Sequence, residues 1–498
     1  ASAAACHLIR DQKPPEPTSS QKTDIVIIGG GVSGLSAARH LHHNKIKDFM
    51  LLELEPETGG NAASGSNELS RYPWGAHYIP IPNNDLREYQ SFLEECGVIT
   101  GRTAEGLPVY NELHLCFDPQ ERLYINGRWQ DGLVPHYGVP SDEQKQIERF
   151  LQKMDEFRKM KDQQGRDVFA IPVDRSSNEE QFTALDQLTM KEWLLQHHFT
   201  GNHLHEYVNY CCRDDFGTPH HLISAWAGIH YFAGRKGHGG NASHSDVLTW
   251  PEGNGFLVSH LRKKIEDRIS TNAMAIKINP TTEGVDIDIM NTKTHSVARI
   301  HAKQCIVAIP QFITSRILHA PERASVVKSN LHYAPWMVAN LKVKELEERS
   351  GAPLSWDNVL HNSQSLGYVE ATHELLQQQS LKKNLTFYLP LTNLSPAEDR
   401  KLAQQRTFDE WKDLILDDLK KVHPNIRQAT EEINIMLWGH AMAQPLPGLI
   451  HGEARRSLSK SIDNKIHFAH TDLAGISIFE EAFYQGIEAA KKIIHQQS

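Results

Sequence analysis

Two short apolar runs near the start of the chain flank a helical repeat. Residues 24–28 (DIVII) are rich in β-branched side chains, as is typical of a strand that is buried on both faces. Three glycines follow, and then Val32, Leu35 and Ala38 recur at the spacing of an amphipathic helix. The run KDFMLLELE at 47–55 predicts a second buried strand. This order of strand, glycine turn, helix and strand predicts a βαβ unit.

Polar helical patterns replace the buried strands between about residues 84 and 239. Residues 142–164 predict a long charged helix, and Thr189 and Glu192 have the spacing of a capping box. Apolar runs return further on. They predict strands within 273–290, 303–310, 334–346, 385–393 and 465–475, and helices at 254–269, 407–424 and 477–495. The α/β signals at both ends predict one domain built from discontinuous segments, with a second domain inserted into it.

The composition is that of an ordinary globular protein. The chain has 498 residues, 39% of them hydrophobic, which is enough for two or three domains. A formal net charge of −9 argues against a nucleic-acid or anionic-membrane surface. No apolar run approaches the roughly 18 residues that span a bilayer. The start of the chain is compatible with two locations, the periplasm after removal of a signal peptide or the cytoplasm.

Six cysteines and 29 histidines raise the question of disulfides and metal sites. No two cysteines have CxxC spacing, so the sequence contains no zinc motif of that kind. We interpret the cysteines as mostly free thiols, with Cys96–Cys116 as the first candidate for a disulfide. The histidine-rich stretches 196–205 and 218–222 predict solvated or capping side chains. No metal site is therefore predicted.

Gly29, Gly31 and Gly34 form a GxGxxG turn directly after a buried strand and at the start of a helix. In a dinucleotide-binding turn the first glycine makes the bend, the second admits the pyrophosphate, and the third lets helix and strand pack closely. The helix N-terminus adds free N–H groups and partial positive charge. Glu53 follows Gly34 by 19 residues, where a carboxylate can bind ribose hydroxyls and repel a 2′-phosphate. The pattern therefore predicts a dinucleotide other than NADP.

A second glycine pair, Gly59–Gly60, follows Glu53 and is itself followed by Asn61. The pair places backbone without side chains near the pyrophosphate a second time. A nicotinamide dehydrogenase has no general need for it, so the pair favours FAD.

Two stretches at opposite ends of the chain resemble the flavin-containing amine oxidase superfamily. This superfamily includes monoamine and polyamine oxidases, protoporphyrinogen oxidase and carotenoid desaturases. The N-terminal stretch contains DIVIIGGGVSGLSAARHL, LLELEPETGGN and WGAHYIP, and the C-terminal one is HFAHTDLAGISIFEEAFYQG. The resemblance implies FAD as cofactor, bound non-covalently because the closing segment has no cysteine. It also implies an α/β fold, with an FAD-binding Rossmann-type (three-layer ββα) domain and an inserted α+β substrate domain.

The implied organisation starts with a flexible tail at residues 1–22. The FAD-binding domain would comprise 23–83, 240–312 and 432–498, and the substrate domain 84–239 and 313–431. Substrate is expected to bind between them, near the flavin ring.

The resemblance also implies the residues that contact FAD. They are Gly29, Gly31, Ser33, Gly34, Glu53, Leu54, Gly59, Gly60, Asn61, Trp74, Gly75, Ala76, His77, Ala275, Asp472, Ile478 and Phe479. Among these, residues 74–77 would pack beside the flavin ring and the backbone near Ala275 would meet the adenine. Asp472 would lie near the ribityl and phosphate groups. The helix that starts near Phe479 would direct its N-terminal dipole at the flavin pyrimidine.

Three positions bear on the chemistry. Asn61 replaces an arginine that is frequent in the family, and Ile478 replaces an aromatic residue that flanks the substrate amine in many members. A family lysine that holds a water near flavin N5 matches either Lys342 or Asn340 in this sequence. These two residues and His77 are the candidate catalytic residues.

The implied activity is FAD-dependent oxidation of a C–N bond in an amine-type substrate, by hydride transfer to flavin N5. Oxygen or another acceptor would then take the electrons. Two alternatives stay open, a desaturase or isomerase that acts on C–C bonds and a flavin-binding subunit without turnover. The expected partners are a small-molecule substrate and the electron acceptor, without nucleic acid, and a homo-oligomer is compatible with the sequence.

Two other stretches each allow two interpretations. Arg213, Asp214 and Asp215 precede an aromatic segment, and together they form either an ion-paired junction with an aromatic core or a wall that faces substrate or flavin. Trp438 and His440 either line the pocket or pack in the ordinary way.

Overall fold

The structure is a computed structural model that describes residues 15–375 and 381–497, and it is mixed α/β. The strands are β1 (Ser19–Ile28), β2 (Phe49–Leu52), β3 (Ser64–Ser66), β4 (Arg71–Pro73), β5 (Tyr78–Pro80), β6 (Ile99–Arg102), β7 (Pro108–Tyr110), β8 (Glu121–Ile125), β9 (Arg128–Asp131), β10 (Val247–Thr249), β11 (Ile269–Ser270), β12 (Ala273–Pro280), β13 (Val285–Asn291), β14 (Val297–Val307), β15 (Tyr333–Val343), β16 (Asp357–Leu360), β17 (Tyr368–Glu370), β18 (Lys383–Pro390), β19 (Thr430–Ala443) and β20 (Ile466–Phe468).

The α-helices lie between these strands along the chain. They are α1 (Val32–His43), α2 (Arg87–Glu95), α3 (Ser141–Lys159), α4 (Glu180–Thr183), α5 (Met190–Gln196), α6 (Asn202–Phe216), α7 (Ala225–Ala233), α8 (Gly255–Arg262), α9 (Gln311–Ile317), α10 (Pro321–Asn330), α11 (Pro396–Gln405), α12 (Phe408–Leu419), α13 (Ile426–Ala429), α14 (Glu453–Leu458) and α15 (Phe479–Gln497). The chain divides into two compact units, each built from segments that are distant in sequence.

The first unit comprises residues 1–63, 255–332 and 451–498. Its sheet has the order β11-β2-β1-β14-β13-β12, and β20 also pairs with β14. The pairs β1–β2, β1–β14 and β14–β20 are parallel, whereas β12, β13 and β14 run antiparallel. Strand β1, helix α1 and strand β2 therefore form the predicted βαβ unit.

Helices α1 and α15 bring the two ends of the chain together. A Cβ atom at Gly486 of α15 would lie 2.0 Å from the Ser33 carbonyl oxygen of α1. It would also lie 2.9 Å from the Ala37 nitrogen, so only glycine allows this close crossing. The segment DIVIIGGGVSGLSAARHL and the C-terminal stretch, both of which carry the resemblance, are thus neighbours in the first unit.

The second unit comprises residues 64–254 and 333–450. Its large sheet has the order β19-β15-β18-β17-β16-β8-β9. All of its pairs are antiparallel except β16–β8. The predicted capping box is confirmed at the start of α5, where Thr189 Oγ1 accepts from the Glu192 nitrogen at 3.2 Å and Glu192 Oε2 accepts from the Thr189 nitrogen at 2.8 Å.

The side chains of β15 alternate between the two faces of this sheet, as the pleat requires. Met337 and Leu341 belong to a core that includes Ile415 of α12. Val338 belongs to a second cluster on the opposite face, together with Tyr388 of β18. That second face carries the aromatic and acidic groups of the candidate site.

Several boundaries differ from those predicted. Strand β1 begins at Ser19, inside the predicted tail, because residues 19–22 pair with residues 298–301 of β14. The compact units change at residues 63, 254, 332 and 450, whereas the domains were predicted to change at 83, 239, 312 and 431. The division into an FAD-binding and a substrate domain stays a prediction.

The predicted Cys96–Cys116 disulfide is wrong. The five described cysteines are buried free thiols, and Cys6 lies outside the described residues. Cys96 follows the end of α2, whereas Cys116 packs in the cluster that contains Tyr388, so the two thiols lie in different surroundings. Among the described residues, no helix is both long enough and apolar enough to cross a membrane.

Candidate functional site

The glycine turn after β1 combines close packing with one open position. A Cβ atom at Gly29, where φ is +106°, would lie 2.5 Å from the Ala308 carbonyl oxygen. At Gly34 it would lie 1.8 Å from the Gly29 carbonyl oxygen. At Gly31 it would meet no protein atom within 4 Å. Protein atoms therefore leave no room for a side chain at Gly29 or Gly34, whereas the space at Gly31 is open. This is the position at which the motif admits a pyrophosphate.

Glu53 lies beside this turn. Its Oε2 accepts from the Gly30 nitrogen at 2.7 Å, and its Oε1 accepts from the Glu55 nitrogen at 2.8 Å. Burial raises the pKa of this carboxyl, and the two backbone N–H groups act in the opposite direction. Because a carboxylate can accept about four hydrogen bonds, Glu53 keeps capacity for ribose hydroxyls.

The second glycine pair is joined to the first turn through the backbone. The Gly59 nitrogen donates to the Gly30 carbonyl oxygen at 2.9 Å. The φ angles of Gly59 and Gly60 are +134° and +57°, which favour glycine. Asn61 follows on the exposed short 3₁₀-helix that begins at Gly60. The two glycine motifs thus form one surface of bare backbone.

The strand predicted to meet the adenine lies next to Glu53. The Ala273 nitrogen donates to the Glu53 carbonyl oxygen at 2.8 Å. Leu54 packs against the cluster that contains Met274, and the ladder from β12 to β13 is irregular after Ala275. Leu54 and Ala275 therefore belong to one corner of the first unit.

Asp472 ties the closing segment to helix α9. Its Oδ2 accepts from the nitrogen of Gln311, the first residue of α9, at 2.8 Å, and its Oδ1 lies 3.0 Å from His470 Nδ1. Asp472 is buried. Phe479 begins α15 and is also buried, and Ile478 directly precedes it.

In the second unit, six consecutive carbonyl groups, from Pro73 to Tyr78, each accept a hydrogen bond. The donors are Asn340 Nδ2 to Pro73 (3.0 Å), Trp438 Nε1 to Trp74 (2.7 Å), Tyr388 Oη to Gly75 (2.9 Å), the Asn254 nitrogen to Ala76 (3.1 Å), Thr249 Oγ1 to His77 (2.9 Å) and Asn254 Nδ2 to Tyr78 (3.0 Å). A Cβ atom at Gly253 would lie 2.7 Å from the Ala76 carbonyl oxygen. This segment is therefore fixed along its whole length.

His77 lies in an aromatic cluster on the same face of the sheet. Its ring centroid is 4.8 Å from that of Tyr388 and 5.5 Å from that of Trp356. Burial lowers the pKa of His77 to about 4, so the ring is neutral at neutral pH. In the β15–β18 ladder, the residue opposite Tyr388 is Val338, which adds an apolar side chain.

Three carboxylates lie deep in the second unit near this cluster. Asp357 and Glu121 face each other in the parallel β16–β8 ladder, and Tyr210 Oη lies 3.5 Å from Asp357 Oδ2. Burial raises the pKa of Asp357 and of Glu121, and it raises that of Asp214 to about 7. Each of the three keeps some accessible surface, and together we call them the acidic wall. The nearby cation Arg235 forms its ion pair with Asp215, at 2.5 Å.

The sequence pattern of the family described as "Flavin containing amine oxidoreductase" matches residues 32–494. The chain belongs to this family. A curated relative, "Amine oxidase [flavin-containing]" from Oncorhynchus mykiss, is 23% identical over 326 residues, which cover 64% of this chain and 56% of the relative. The chain spans about half the length of the curated relatives it matches.

Solved structures of this fold extend over nearly the whole chain. A wild-type putrescine oxidase bound to putrescine has a TM-score of 0.71 and 16% identity, and covers 96% of this chain and 100% of its own. A fatty acid isomerase from P. acnes has a TM-score of 0.66 and 15% identity, and covers 94% of this chain and 97% of its own. At these identities the likeness shows the fold alone.

Membership confirms the predicted flavin-containing amine oxidase family and implies FAD as the cofactor. The described residues fit that group. The open space at Gly31, the two joined glycine motifs and the buried Glu53 form a cradle that a pyrophosphate and a ribose would fill. The FAD contacts inferred from the sequence fall in both units, since Trp74, Gly75, Ala76 and His77 belong to the second. Their individual roles stay predictions.

The geometry does not favour Lys342 as a catalytic residue. Its ammonium forms an ion pair with Glu68 and lies 3.6 Å from Glu431 Oε2 and 3.9 Å from Glu432 Oε2. These carboxylates raise its pKa, so the group stays charged.

Asn340 is buried and fully engaged. Its Nδ2 donates to the Pro73 carbonyl, and its Oδ1 accepts from Thr386 Oγ1 at 2.7 Å. These contacts give it a positioning role for the segment that contains His77. The assignment of Asn340, Lys342 and His77 as catalytic residues stays a prediction.

Each of the two interpretations of the stretch that begins at Arg213 fits some of its residues. Arg213 donates to the Gln364 carbonyl and Asp215 pairs with Arg235, as in an ion-paired junction. Asp214 instead belongs to the acidic wall. Trp438 fixes the Trp74 carbonyl, whereas His440 is exposed and stacks edge-on with Tyr333.

Sequence reasoning missed part of the site. Glu121, Asp357, Thr249 and Asn254 follow no short motif, and they are brought together by strand register and by loops. The SWDNV stretch offered one signal, because it places an aspartate at the start of a buried strand.

Proposed function

We propose that this protein is an FAD-dependent oxidase of an organic amine that carries a second positive charge, such as a diamine. The observation that carries the proposal is the set of three deep carboxylates, Glu121, Asp214 and Asp357, beside the aromatic cluster. Like charges that face each other across two strands are destabilising unless a proton or a cation neutralises them. In the described part of the chain, none of the three forms an ion pair with a basic side chain. A ligand ammonium would supply the missing charge.

The surroundings of the carboxylates suit the other part of such a substrate. The rings of His77, Tyr388 and Trp356 exclude water and pack against an apolar carbon chain. Because His77 is neutral, it does not repel a cation. Its low basicity also makes it a poor proton acceptor at neutral pH, so we assign it to positioning rather than to general-base catalysis.

When bound, FAD would supply the redox chemistry: it would accept, at N5, a hydride from the C–H bond next to the amine nitrogen. For that chemistry the chain must hold the reacting carbon in a fixed orientation. The hydrogen bonds that the carbonyl groups of residues 73–78 accept fix the segment that carries His77. The carboxylates hold the distal ammonium. Oxygen is the proposed electron acceptor, and the FAD-binding domain is proposed to be of the Rossmann type.

The acidic wall also distinguishes this proposal from the C–C alternatives. A fatty acid isomerase shares the fold, but its substrate carries a carboxylate. Three unpaired carboxylates would repel that group. Membership of the amine oxidoreductase family argues against a flavin-binding subunit without turnover.

The test is anaerobic reduction of the bound flavin, followed by its absorbance. We expect 1,4-diaminobutane to bleach the flavin, butylamine to do so with a much higher KM, and an unsaturated fatty acid to have no effect. Asp357→Asn and Glu121→Gln should each raise the KM for the diamine about 10–100-fold. This factor corresponds to the loss of one buried charge-assisted hydrogen bond, which is worth about 1.5–3 kcal/mol. They should change the KM for butylamine much less.

The matched control is Glu156→Gln, which alters an exposed carboxylate on α3. It should leave both KM values unchanged. Equal KM values for the diamine and the monoamine would overturn the substrate class. Failure of every amine to bleach the flavin would overturn the oxidase itself.

A further inference from the structure

The second unit contains a cluster of metal-ligating side chains that the proposed reaction does not use. One ligand atom each from Cys116, His373 and Glu374 lies within 4.8 Å of the others. Cys116 comes before strand β8, and the other two residues lie between β17 and β18. The cluster thus joins two segments that are more than 250 residues apart in the sequence.

The histidine is oriented by the backbone in the manner of a metal ligand. Its Nε2 lies 3.0 Å from the Phe117 carbonyl oxygen, an acceptor that requires a proton on Nε2. The other ring nitrogen, Nδ1, then carries a lone pair, and it lies 3.9 Å from Glu370 Oε2. A metal-bound histidine usually donates its second N–H to a carbonyl or carboxylate in this way.

Glu374 provides an independent indication of a missing ligand. Both of its carboxylate oxygens are buried, and neither makes a hydrogen bond of normal geometry in the described structure, although the Cys116 thiol and the Phe117 backbone N–H lie close to the carboxylate. Leaving a buried polar atom unsatisfied costs about 1–3 kcal/mol, so this carboxylate needs a further partner, which a water or a bound cation would supply.

The charges around the cluster favour a cation. Glu121 and Asp357 are close enough to act on the Cys116 thiol, and Glu370 lies beside His373. One basic side chain also lies near the cluster, since Lys383 Nζ is 3.4 Å from Glu370 Oε2. Carboxylates therefore surround the cluster, and their charge favours a divalent cation there.

We propose that Cys116, His373 and Glu374 bind Zn²⁺ with three protein ligands and one water. Sulfur, nitrogen and oxygen donors together suit zinc, whose bonds of about 2.0–2.3 Å place tetrahedral ligands about 3.3–3.8 Å apart. The present spacing needs to contract by about 1 Å. Binding releases the thiol proton to solvent and attaches residues 373–374 to the segment at Cys116.

The experiment uses the FAD-loaded protein, freed of metal with a chelator and kept reduced. Zn²⁺ is titrated in competition with a chromophoric chelator, and Co²⁺ is added separately to record its absorption spectrum. We expect one Zn²⁺ per chain and a thiolate-to-cobalt charge-transfer band. Cys116→Ser and Glu374→Gln should each weaken binding at least about 100-fold, beyond the 10–100-fold effect of losing an outer-shell partner.

The control is Cys96→Ser, which removes a thiol that is in no disulfide and is as buried as Cys116, at 7% exposed against 6%. It should bind Zn²⁺ like the wild type. The proposal is overturned if Co²⁺ gives no charge-transfer band with the wild-type protein, a result that does not depend on how any variant folds. It is also overturned if Cys116→Ser and the wild type bind Zn²⁺ equally. Neither outcome bears on amine oxidation, which is measured separately.

Discussion

The two glycines Gly31 and Gly34 lie three residues apart in one turn, and we expect alanine to affect them in opposite ways. At Gly34 the added Cβ would lie 1.8 Å from the Gly29 carbonyl oxygen, so the helix and the turn must separate by more than 1 Å, to about van der Waals distance. Overpacking of this kind costs about 1–3 kcal/mol, and alanine returns up to about 1 kcal/mol through helix propensity. Gly34→Ala should therefore lose about 1–2 kcal/mol of stability, or about 1–2 °C in the apparent Tm of the FAD-free protein.

Gly31→Ala should leave that melting temperature unchanged. The φ of Gly31 is −74°, which alanine adopts freely, and its Cβ would point into space without protein atoms. If that space holds the pyrophosphate, FAD affinity should fall at least about tenfold, because the methyl group takes the place of the closest phosphate contact. Thermal unfolding of the FAD-free protein and fluorescence titration with FAD measure the two effects separately. Wild-type FAD affinity in Gly31→Ala would refute the assignment of the cradle.

Three further predictions concern the second unit. Trp438→Phe removes the donor to the Trp74 carbonyl while keeping the ring, and should cost about 0.5–1.5 kcal/mol in urea unfolding; an unchanged midpoint would contradict the positioning role. Burial raises the pKa of Asp214 to about 7, so between about pH 4 and 7 the folded state holds a proton that the unfolded state has lost. The stability that this proton provides is lost as the pH rises through that window, so the urea midpoint of the wild type should fall with pH. Asp214→Asn should make that fall smaller, and an equal slope in both proteins would refute the prediction. Lys342→Met should change the rate of flavin reduction less than about threefold, because its ammonium is engaged with Glu68; a much larger loss would restore Lys342 as a catalytic residue.

The cofactor part of the site followed from the sequence because its determinants are local. Gly29, Gly31 and Gly34 lie within one turn, and Glu53 follows at the end of the next strand, so strand, turn and helix periodicity were enough to place them. Gly486 shows the limit of that reasoning. Nothing in its sequence neighbourhood indicates that its missing Cβ admits the Ser33 carbonyl of α1.

The lysine position shows a second limit. The sequence left Lys342 and Asn340 as equal candidates, because either residue can be aligned with the family lysine. Only the tertiary structure shows that Lys342 is surrounded by glutamates and that Asn340 fixes the Pro73 carbonyl. The disulfide prediction failed for the same reason, since cysteine spacing does not report which surfaces the two thiols face.

The sequence by itself determined the family, the cofactor and the βαβ unit that begins the first compact unit, because each depends on contacts between residues close along the chain. The tertiary structure decided which carboxylates lie together at the proposed substrate site. Glu121 and Asp357 are 236 residues apart and meet only through the register of two parallel strands, while Asp214 reaches them from a helix. Register and helix packing depend on the whole core, and no short stretch of sequence encodes them.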